Sequence, residues 1–123
     1  MPEKLNLQTF TDKRGNLTVI EKILPFEIKR IFYIYGVDYE TRGEHRHIKT
    51  IQAAICLKGS CTIIWNNGNE SGIEKLGNPS TCLILFPQDF HIINNFSTDA
   101  ILMVLASEYY DLNDYVYLPY SKK

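Results

Sequence analysis

The chain alternates short apolar segments with turn-forming residues along most of its length. The segments are mostly rich in β-branched and aromatic residues, which favour strands, and they span residues 17–20, 31–35, 51–57, 61–65, 81–86 and 100–106. Gly, Asn, Pro and Ser separate them, and Asn67-Gly68 after a strand-like segment is a good hairpin signal. Sustained helical spacing is missing, apart from a short turn near 109–115. The pattern predicts an all-β protein, an antiparallel sandwich or barrel.

Chain length and cysteine pattern narrow this class. With 123 residues, 45% of them hydrophobic, the sequence predicts a single domain, 1–123. The all-β alternative, an immunoglobulin-like sandwich, requires a Cys…Trp…Cys pattern that the chain lacks. Its three cysteines, Cys56, Cys61 and Cys82, are odd in number and not closely paired. We therefore expect buried, reduced thiols in a cytoplasmic protein.

Charge and hydropathy exclude two kinds of partner. Thirteen Lys and Arg residues against fourteen Asp and Glu give a net charge of −1, without the basic face of a nucleic-acid-binding domain. No apolar stretch approaches the roughly 20 residues of a membrane span, and the N-terminus lacks the apolar region of a signal peptide. We expect neither nucleic acid nor a membrane as a partner.

Two of the three histidines stand two positions apart in the segment RGEHRH, residues 42–47. In an extended strand the side chains of residues i and i+2 point to the same face, so His45 and His47 are expected side by side. Imidazole titrates near neutral pH and is also a common metal ligand. The pair therefore indicates either acid–base chemistry or part of a metal site.

The spacing around this pair resembles the two-part motif of the cupins. The two parts read His45-x-His47-x4-Gln52-x6-Gly59 and Pro87-x3-His91-x3-Asn95. The first part fits well, whereas the second lacks a glycine and has Pro87 one residue closer to His91 than in the usual pattern. The resemblance implies a cupin or jelly-roll antiparallel β-barrel.

One position bears on the choice between metal and acid–base chemistry. Where metal-binding cupins carry Glu, this chain has the neutral Gln52, and hard divalent cations favour anionic oxygen ligands. His45, His47 and His91 could still form a three-histidine zinc or iron site. We predict acid–base use of the histidines without a metal or other cofactor, and purely structural histidines are the remaining alternative.

Further segments extend the resemblance to one enzyme family. RGxHxH at 42–47 follows FYIYG at 32–36 and precedes LASEYYD at 105–111. Together they resemble the nucleotide-sugar 3,4-ketoisomerases of the FdtA/QdtA (WxcM-like) cupin family, over a stretch from Arg14 to Tyr115. The resemblance implies a metal-free homodimer that converts dTDP-4-keto-6-deoxyglucose into its 3-keto isomer. Such enzymes serve the deoxysugars and aminosugars of bacterial surface glycans.

The histidines suit this chemistry independently. A 4-keto group acidifies the C3–H, and moving the carbonyl requires removal of that proton, an enediol and reprotonation at C4. By matching the family's motif positions, we assign His45 as the carbon base and His47, with Tyr33, as the acid–base groups for the oxygens. Tyr35 shares a strand face with Tyr33 and is its alternative. Either tyrosine could instead be a packing residue.

The resemblance also implies substrate-binding residues. Arg42 is expected to support the enediolate or the diphosphate, and Gln52 and His91 complete the set. The alternative for Arg42 is a surface arginine at the end of a turn. Lys13, Arg14 and His91 are candidates for setting the configuration at C4 of the product, galacto or gluco.

Five tyrosines lie between residues 109 and 120. We interpret them as a packing strip or dimer edge rather than as a stacking platform for a thymine base, because Tyr is favoured where one end is apolar and the other is wet.

Two other functions stay open for a chain with these motifs. One is a metal-dependent cupin enzyme, such as a dioxygenase, that uses His45, His47 and His91 as ligands. The other is a non-catalytic cupin that binds a sugar or nucleotide. Turnover of the keto sugar and metal analysis distinguish these functions.

Overall fold

The fold is built from antiparallel strands. The computed structural model describes residues 1–121, so the predicted domain, 1–123, extends two residues beyond the described part. Within residues 1–121 the strands are β1 Glu3–Asn6, β2 Gln8–Asp12, β3 Gly15–Val19, β4 Arg30–Tyr35, β5 Arg42–His47, β6 Gln52–Lys58, β7 Cys61–Asn66, β8 Ser71–Leu76, β9 Thr81–Leu85, β10 Phe90–Asn94, β11 Ile101–Ala106 and β12 Tyr115–Val116. A short 3-10 turn, Leu112–Asp114, precedes β12. No helix within residues 1–121 is long and apolar enough to cross a membrane.

Ten strands form two five-stranded sheets. The first sheet has the order β1-β9-β6-β11-β4, and the second has the order β12-β5-β10-β7-β8. The remaining two strands, β2 and β3, form a separate hairpin. Every strand pairing in the described chain is antiparallel. The prediction of an all-β fold of the cupin or jelly-roll class is confirmed, and each of the six apolar segments contributes a strand.

The main core lies between the two sheets. Strand β7 shows how the sequence builds it, because Cys61, Ile63 and Trp65 point inward while the residues between them are half-buried. Residues from both sheets make up this core: Ala54, Cys56, Cys61, Ile63, Leu76, Leu83, Leu85, Ile93, Leu102 and Val104. A second cluster covers the outer face of the first sheet, where Leu24 and Phe26 pack against it.

All three cysteines are buried and free, as predicted. Burial raises the pKa of Cys82 to about 11 and, together with the neighbouring Cys56, raises the pKa of Cys61 to about 12. These thiols stay protonated at neutral pH, so they act as small apolar residues of the core.

Strand β4 turns alternate residues toward the interior. Phe32 and Ile34 pack against the main core, whereas Tyr33 and Tyr35 point outward and are 64% and 68% exposed. The two tyrosine rings stack on each other on this outer face, with centroids 5.8 Å apart. The alternation therefore decides which side chains of β4 reach the space between the sheets.

The β2–β3 hairpin stands apart from both sheets. All residues of β2 are exposed, and Phe10 lies directly opposite Leu17 in the register of the hairpin. These two side chains are 55% and 60% exposed. The hairpin thus presents an apolar cross-strand pair to its surroundings.

Candidate active site

A cavity of about 400 Å³ lies between the two sheets. The first sheet contributes a mostly apolar wall of Phe32, Ile34, Gln52, Ala54, Leu85 and Val104. The second sheet contributes a mostly polar wall that includes Arg42, His45, His91 and Tyr115. The volume and the mixture of apolar surface with a few polar groups are typical of a small-molecule site.

A β-bulge in β5 brings two histidines opposite each other. Gly43 and Glu44 have φ angles of 82° and 61°, in the left-handed region. The register with β10 shifts at this point, because His91 pairs with His45 but Ile92 pairs with Gly43. A Cβ on residue 43 would lie 2.9 Å from the carbonyl oxygen of His91, so this close approach requires glycine. The rings of His45 and His91 consequently lie 4.9 Å apart, measured between centroids.

His45 forms part of the cavity wall as a neutral imidazole. Its Nδ1 lies 2.9 Å from the carbonyl oxygen of Gly43. A carbonyl oxygen can only accept, so Nδ1 carries the proton and Nε2 keeps its electron pair. Burial and then the neighbouring His47 lower the pKa of His45 to about 4, against the smaller opposing effects of the Gly43 carbonyl and of Asp114. At neutral pH, His45 is therefore a proton acceptor.

His91 is held in the same way on the neighbouring strand. Its Nδ1 lies 3.1 Å from the carbonyl oxygen of Asp89. Burial and then His45 lower the pKa of His91 to about 3. On the other side of β10, Trp65 of β7 lies directly opposite His91 and is buried, and a Cβ on residue 72 would come within 2.8 Å of the indole ring. His91 is thus a neutral, buried imidazole whose cross-strand partner is a tryptophan.

His47 lies behind His45 rather than in the cavity wall. It is 2% exposed, and the centroids of the two rings are 5.0 Å apart. Its Nδ1 lies 2.9 Å from Oδ2 of Asp114, and its buried Nε2 has no hydrogen-bond partner among residues 1–121. Burial lowers the pKa of His47, and the carboxylate of Asp114 only partly offsets this effect. All three imidazoles therefore have Nδ1 on an oxygen acceptor.

A tyrosine that the motifs did not identify lies beside both histidines. Tyr115 of β12 pairs with His47 and lines the cavity. Its ring centroid is 4.7 Å from those of His45 and His47, and Tyr117 stacks on it at 6.1 Å. The interpretation of the C-terminal tyrosines as a packing strip missed this position. The alternation Tyr-x-Tyr at 115–117, which parallels His-x-His at 45–47, was the available signal.

Comparison with known proteins identifies the family. The family model described as "FdtA: WxcM-like, C-terminal" matches residues 2–121. This chain belongs to the FdtA family. The resemblance seen in the motifs around His45 and His47 is confirmed over nearly the whole sequence.

Relatives of this FdtA-family chain share its sequence and its fold. It is 42% identical over 115 residues to an Aneurinibacillus thermoaerophilus protein named TDP-4-oxo-6-deoxy-alpha-D-glucose-3,4-oxoisomerase, and the match covers 91% of this chain and 83% of the relative. A second relative is the 3,4-ketoisomerase QdtA from Thermoanaerobacterium thermosaccharolyticum, solved as a histidine-to-asparagine mutant in complex with TDP-4-keto-6-deoxyglucose. It is 41% identical to this chain, and the two structures superpose with a TM-score of 0.91 over 95% of this chain and 87% of that one. The WlaRB TDP-quinovose 3,4-ketoisomerase from Campylobacter jejuni is 38% identical with a TM-score of 0.91, covering 95% and 92%.

The cavity of this FdtA-family protein contains most of the predicted site residues. Arg42, His45, Gln52 and His91 line it, and His47 lies directly behind His45. The structure thus brings together side chains that are up to 49 positions apart, from Arg42 to His91. Gln52 is part of the first sheet and faces the histidines of the second.

The structure does not bring Tyr33 or Tyr35 into this cavity. Both side chains lie on the outer face of β4, because the inward positions of that strand belong to Phe32 and Ile34. The prediction of a catalytic Tyr33 is therefore not supported by the geometry of its own chain. Tyr115 is the tyrosine in contact with the histidines.

Lys13 and Arg14, the other candidates for setting the product configuration, also lie outside the cavity. They lie at the turn of the β2–β3 hairpin, where the guanidinium of Arg14 pairs with Asp12 at 2.6 Å. Of the three candidates, His91 is the one in the cavity wall.

The titratable side chains of the described residues do not form a metal site of the usual kind. Among residues 1–121, no group of three or more His, Cys, Asp or Glu side chains is arranged to hold one ion. Gln52, at the motif position where metal-binding cupins carry Glu, lines the cavity with a neutral amide. The absence of a cofactor stays a prediction.

Proposed function

We propose that this FdtA-family protein is a dTDP-4-keto-6-deoxy-D-glucose 3,4-ketoisomerase of deoxysugar biosynthesis. The observation that carries the proposal is a cavity of sugar size with the neutral, proton-accepting imidazole of His45 in its wall. The named relatives agree with the motifs, and they confirm the sequence-based prediction of a sugar-nucleotide 3,4-ketoisomerase.

His45 moves the carbon-bound proton. Its Nε2 takes the proton from C3, and the electron pair of that bond forms the C3=C4 double bond of an enediolate with negative charge on O4. The imidazolium then returns a proton to C4 while the carbonyl forms at C3. The Gly43 carbonyl at Nδ1 and the negative charge of Asp114 favour the imidazolium, as their effects on the pKa of His45 indicate.

A second proton moves between the oxygens, because O3 loses its hydrogen as O4 gains one. We assign this transfer to Tyr115, which lines the cavity beside His45, and to His47 behind it, whose ring contacts both. Tyr115 takes the role predicted for Tyr33, which lies on the far side of β4.

The remaining polar wall binds the substrate. We assign Arg42 to electrostatic support of the enediolate or the diphosphate, and Gln52 and His91 to the sugar hydroxyl and carbonyl groups, because all three line the same cavity as His45. No step of this sequence requires a metal or another cofactor. The reaction supplies 3-keto sugars to enzymes of surface-glycan biosynthesis.

We also propose that the protein is a homodimer in which the β2–β3 hairpin packs against a second copy. Within its own chain the hairpin has no third strand, and an isolated two-stranded hairpin is marginally stable in water. The opposed, exposed Phe10 and Leu17 supply the apolar contact. Sedimentation equilibrium should show a dimer that Phe10→Ser with Leu17→Ser dissociates, whereas Ile73→Ser, at an exposed residue of β8, should not. A monomeric wild type would overturn this part.

The cytoplasm is the compartment that fits the chain. Three free, buried thiols without a disulfide among residues 1–121 are compatible with the reducing environment of the cytoplasm.

One experiment tests the catalytic proposal. The purified protein is incubated with dTDP-4-keto-6-deoxyglucose in D2O and followed by proton NMR. We expect enzyme-dependent loss of the C3 hydrogen signal and a new 3-keto sugar, whose coupling constants give the C4 configuration. If neither hydrogen exchange nor a new keto sugar is seen, the protein is a non-catalytic binding cupin and the isomerase proposal is wrong. Activity that is lost on chelation and restored by iron or zinc would overturn the cofactor-free mechanism.

A further inference from the structure

We infer that Asp114 is a positioning residue for His47, which it holds in the Nδ1–H tautomer so that Nε2 can accept a proton. The inference rests on the proposed function, because it concerns the histidine to which the transfer between the oxygens is assigned. The carboxylate of Asp114 lies outside the cavity wall and acts on the reaction through His47.

Asp114 is buried and bound by several donors at once. It is 4% exposed, at the end of the 3-10 turn that precedes β12. Its Oδ1 accepts hydrogen bonds from the backbone N–H groups of Ile48 at 3.1 Å and Lys49 at 2.8 Å. Its Oδ2 accepts from the hydroxyl of Thr50 and from Nδ1 of His47. The carboxylate therefore fastens the chain segment after β5 and the imidazole of β5 at the same time.

The carboxylate is ionised at neutral pH. Burial opposes ionisation, but the hydrogen bonds from Thr50, Lys49 and His47 together bring the pKa of Asp114 below its usual range. An ionised carboxylate has no hydrogen to donate, so Nδ1 of His47 must be the donor in this contact. Asp114 thus determines that Nδ1, and not Nε2, of the neutral His47 carries the proton.

His47 differs from the other two histidines in the charge of this partner. His45 and His91 use neutral backbone carbonyls at Nδ1, whereas His47 uses an anion. An anion stabilises an imidazolium more than a carbonyl does, so Asp114 also makes Nε2 of His47 a better proton acceptor. The charged and titratable groups that face His47 are His45 on its own strand, His91 of β10, Tyr115 of β12, Arg30 of β4 and Asp114.

The variant Asp114→Asn tests the tautomer directly. The backbone N–H groups of Ile48 and Lys49 need an acceptor, so the amide oxygen should take their side and turn its NH2 group toward His47. That NH2 can only donate, and it would force the proton of His47 from Nδ1 to Nε2. We expect kcat to fall about 100-fold or more, with KM changed less than about threefold.

The measurements are 15N NMR of the imidazoles and the C3 exchange assay. The wild type should show His47 protonated at Nδ1, and Asp114→Asn should show it protonated at Nε2 at the same pH. Thr50→Val is the matched control: it removes one hydrogen bond from the same Oδ2 but keeps the anion. It should preserve the Nδ1–H tautomer and lose less than about tenfold in kcat.

The possible outcomes separate this inference from the proposed function. If 15N NMR shows the wild-type His47 protonated at Nε2, the inference is wrong. This measurement needs no variant, so it decides the question even if Asp114→Asn does not fold. An Asp114→Asn protein that folds and keeps the wild-type kcat and pH–rate profile also overturns it. A wild type without turnover but with the expected tautomer would overturn the proposed function and leave the role of Asp114 toward His47 standing.

Discussion

The space between the two sheets contains two regions of opposite character, and the same strands run through both. Strand β6 leads from Gln52 in the cavity to Cys56 in the apolar core, and β10 leads from His91 toward Ile93, which faces both regions. In the apolar region buried side chains pack together, whereas the other region contains the cavity of about 400 Å³ with the imidazoles of His45 and His91 in its wall. The apolar region therefore fixes the separation of the sheets at which the polar region can do chemistry.

This division predicts that variants of the polar region change the rate and variants of the apolar region change stability. His45→Asn should lower C3 exchange by about 10²- to 10⁴-fold, because the neutral amide is not a base, and nucleotide-sugar affinity should change less than about threefold. Deuterium exchange by NMR and calorimetric binding measure the two effects. Full exchange by His45→Asn would show that the carbon base is another residue.

Leu76→Ala should lower stability and leave the reaction rate nearly unchanged. The Leu76 side chain is fully buried in the main core, so its truncation should lower the free energy of unfolding by about 2–5 kcal/mol. Below the unfolding transition kcat should stay within about twofold of the wild type. Ile73→Ala on the same strand is the control, and at that exposed position urea denaturation should show a change of about 0.5 kcal/mol or less. A large loss of kcat in Leu76→Ala would show that the apolar region also determines the reaction rate.

Gly43→Ala should affect both quantities, because the bulge belongs to both the sheet and the site. The new Cβ would meet the His91 carbonyl at 2.9 Å and would displace the carbonyl that holds Nδ1 of His45. We expect a loss of about 1–3 kcal/mol in stability together with slower exchange. Gly36→Ala is the matched control, since its φ of 71° is also left-handed but a Cβ there meets no described atom within 4 Å. Equal effects of both variants would show that backbone strain alone is responsible.

The smallest expected effect is the response of stability to mild acid. In the unfolded chain His45 and His91 have a pKa of about 6.5, whereas in the folded protein the values are about 4 and 3. The unfolded state therefore binds more protons below pH 6.5, and the free energy of unfolding decreases as pH falls from 6.5 toward 4. From pH 7.5 to 6.0 the loss should be less than about 1 kcal/mol for each histidine. Urea denaturation should show a flatter profile for His91→Gln, and an unchanged profile would contradict the neutral, buried state of His91.

The local part of the site could be predicted from the sequence. His45 and His47 share a face because a strand has a period of two, and the bulge at Gly43 and Glu44 precedes the pair and leaves that period intact. His91 could be placed near them through the cupin motif, although only the register of β5 with β10 shows that it lies opposite His45.

The other part depends on long-range packing. Both faces of β4 carry large apolar or aromatic side chains, so the alternation could not show that Phe32 points inward and Tyr33 outward. Asp114 contacts His47 across 67 positions of the sequence, and no spacing rule connects them. Tyr115 reaches the histidines because the chain returns after β11 to add β12 beside β5.

Trp65, the cross-strand partner of His91, gives the protein an intrinsic fluorescence signal beside the active site. Trp65 is the single tryptophan of the chain, so all indole emission comes from the residue that pairs with His91 across β7 and β10. Gain of a proton by His91 would place a positive charge on the cross-strand partner of Trp65, so it should change this emission. A ligand that enters the cavity lined by His91 should alter this emission as well. Substrate binding and titration can therefore be followed by stopped-flow fluorescence of the unmodified protein.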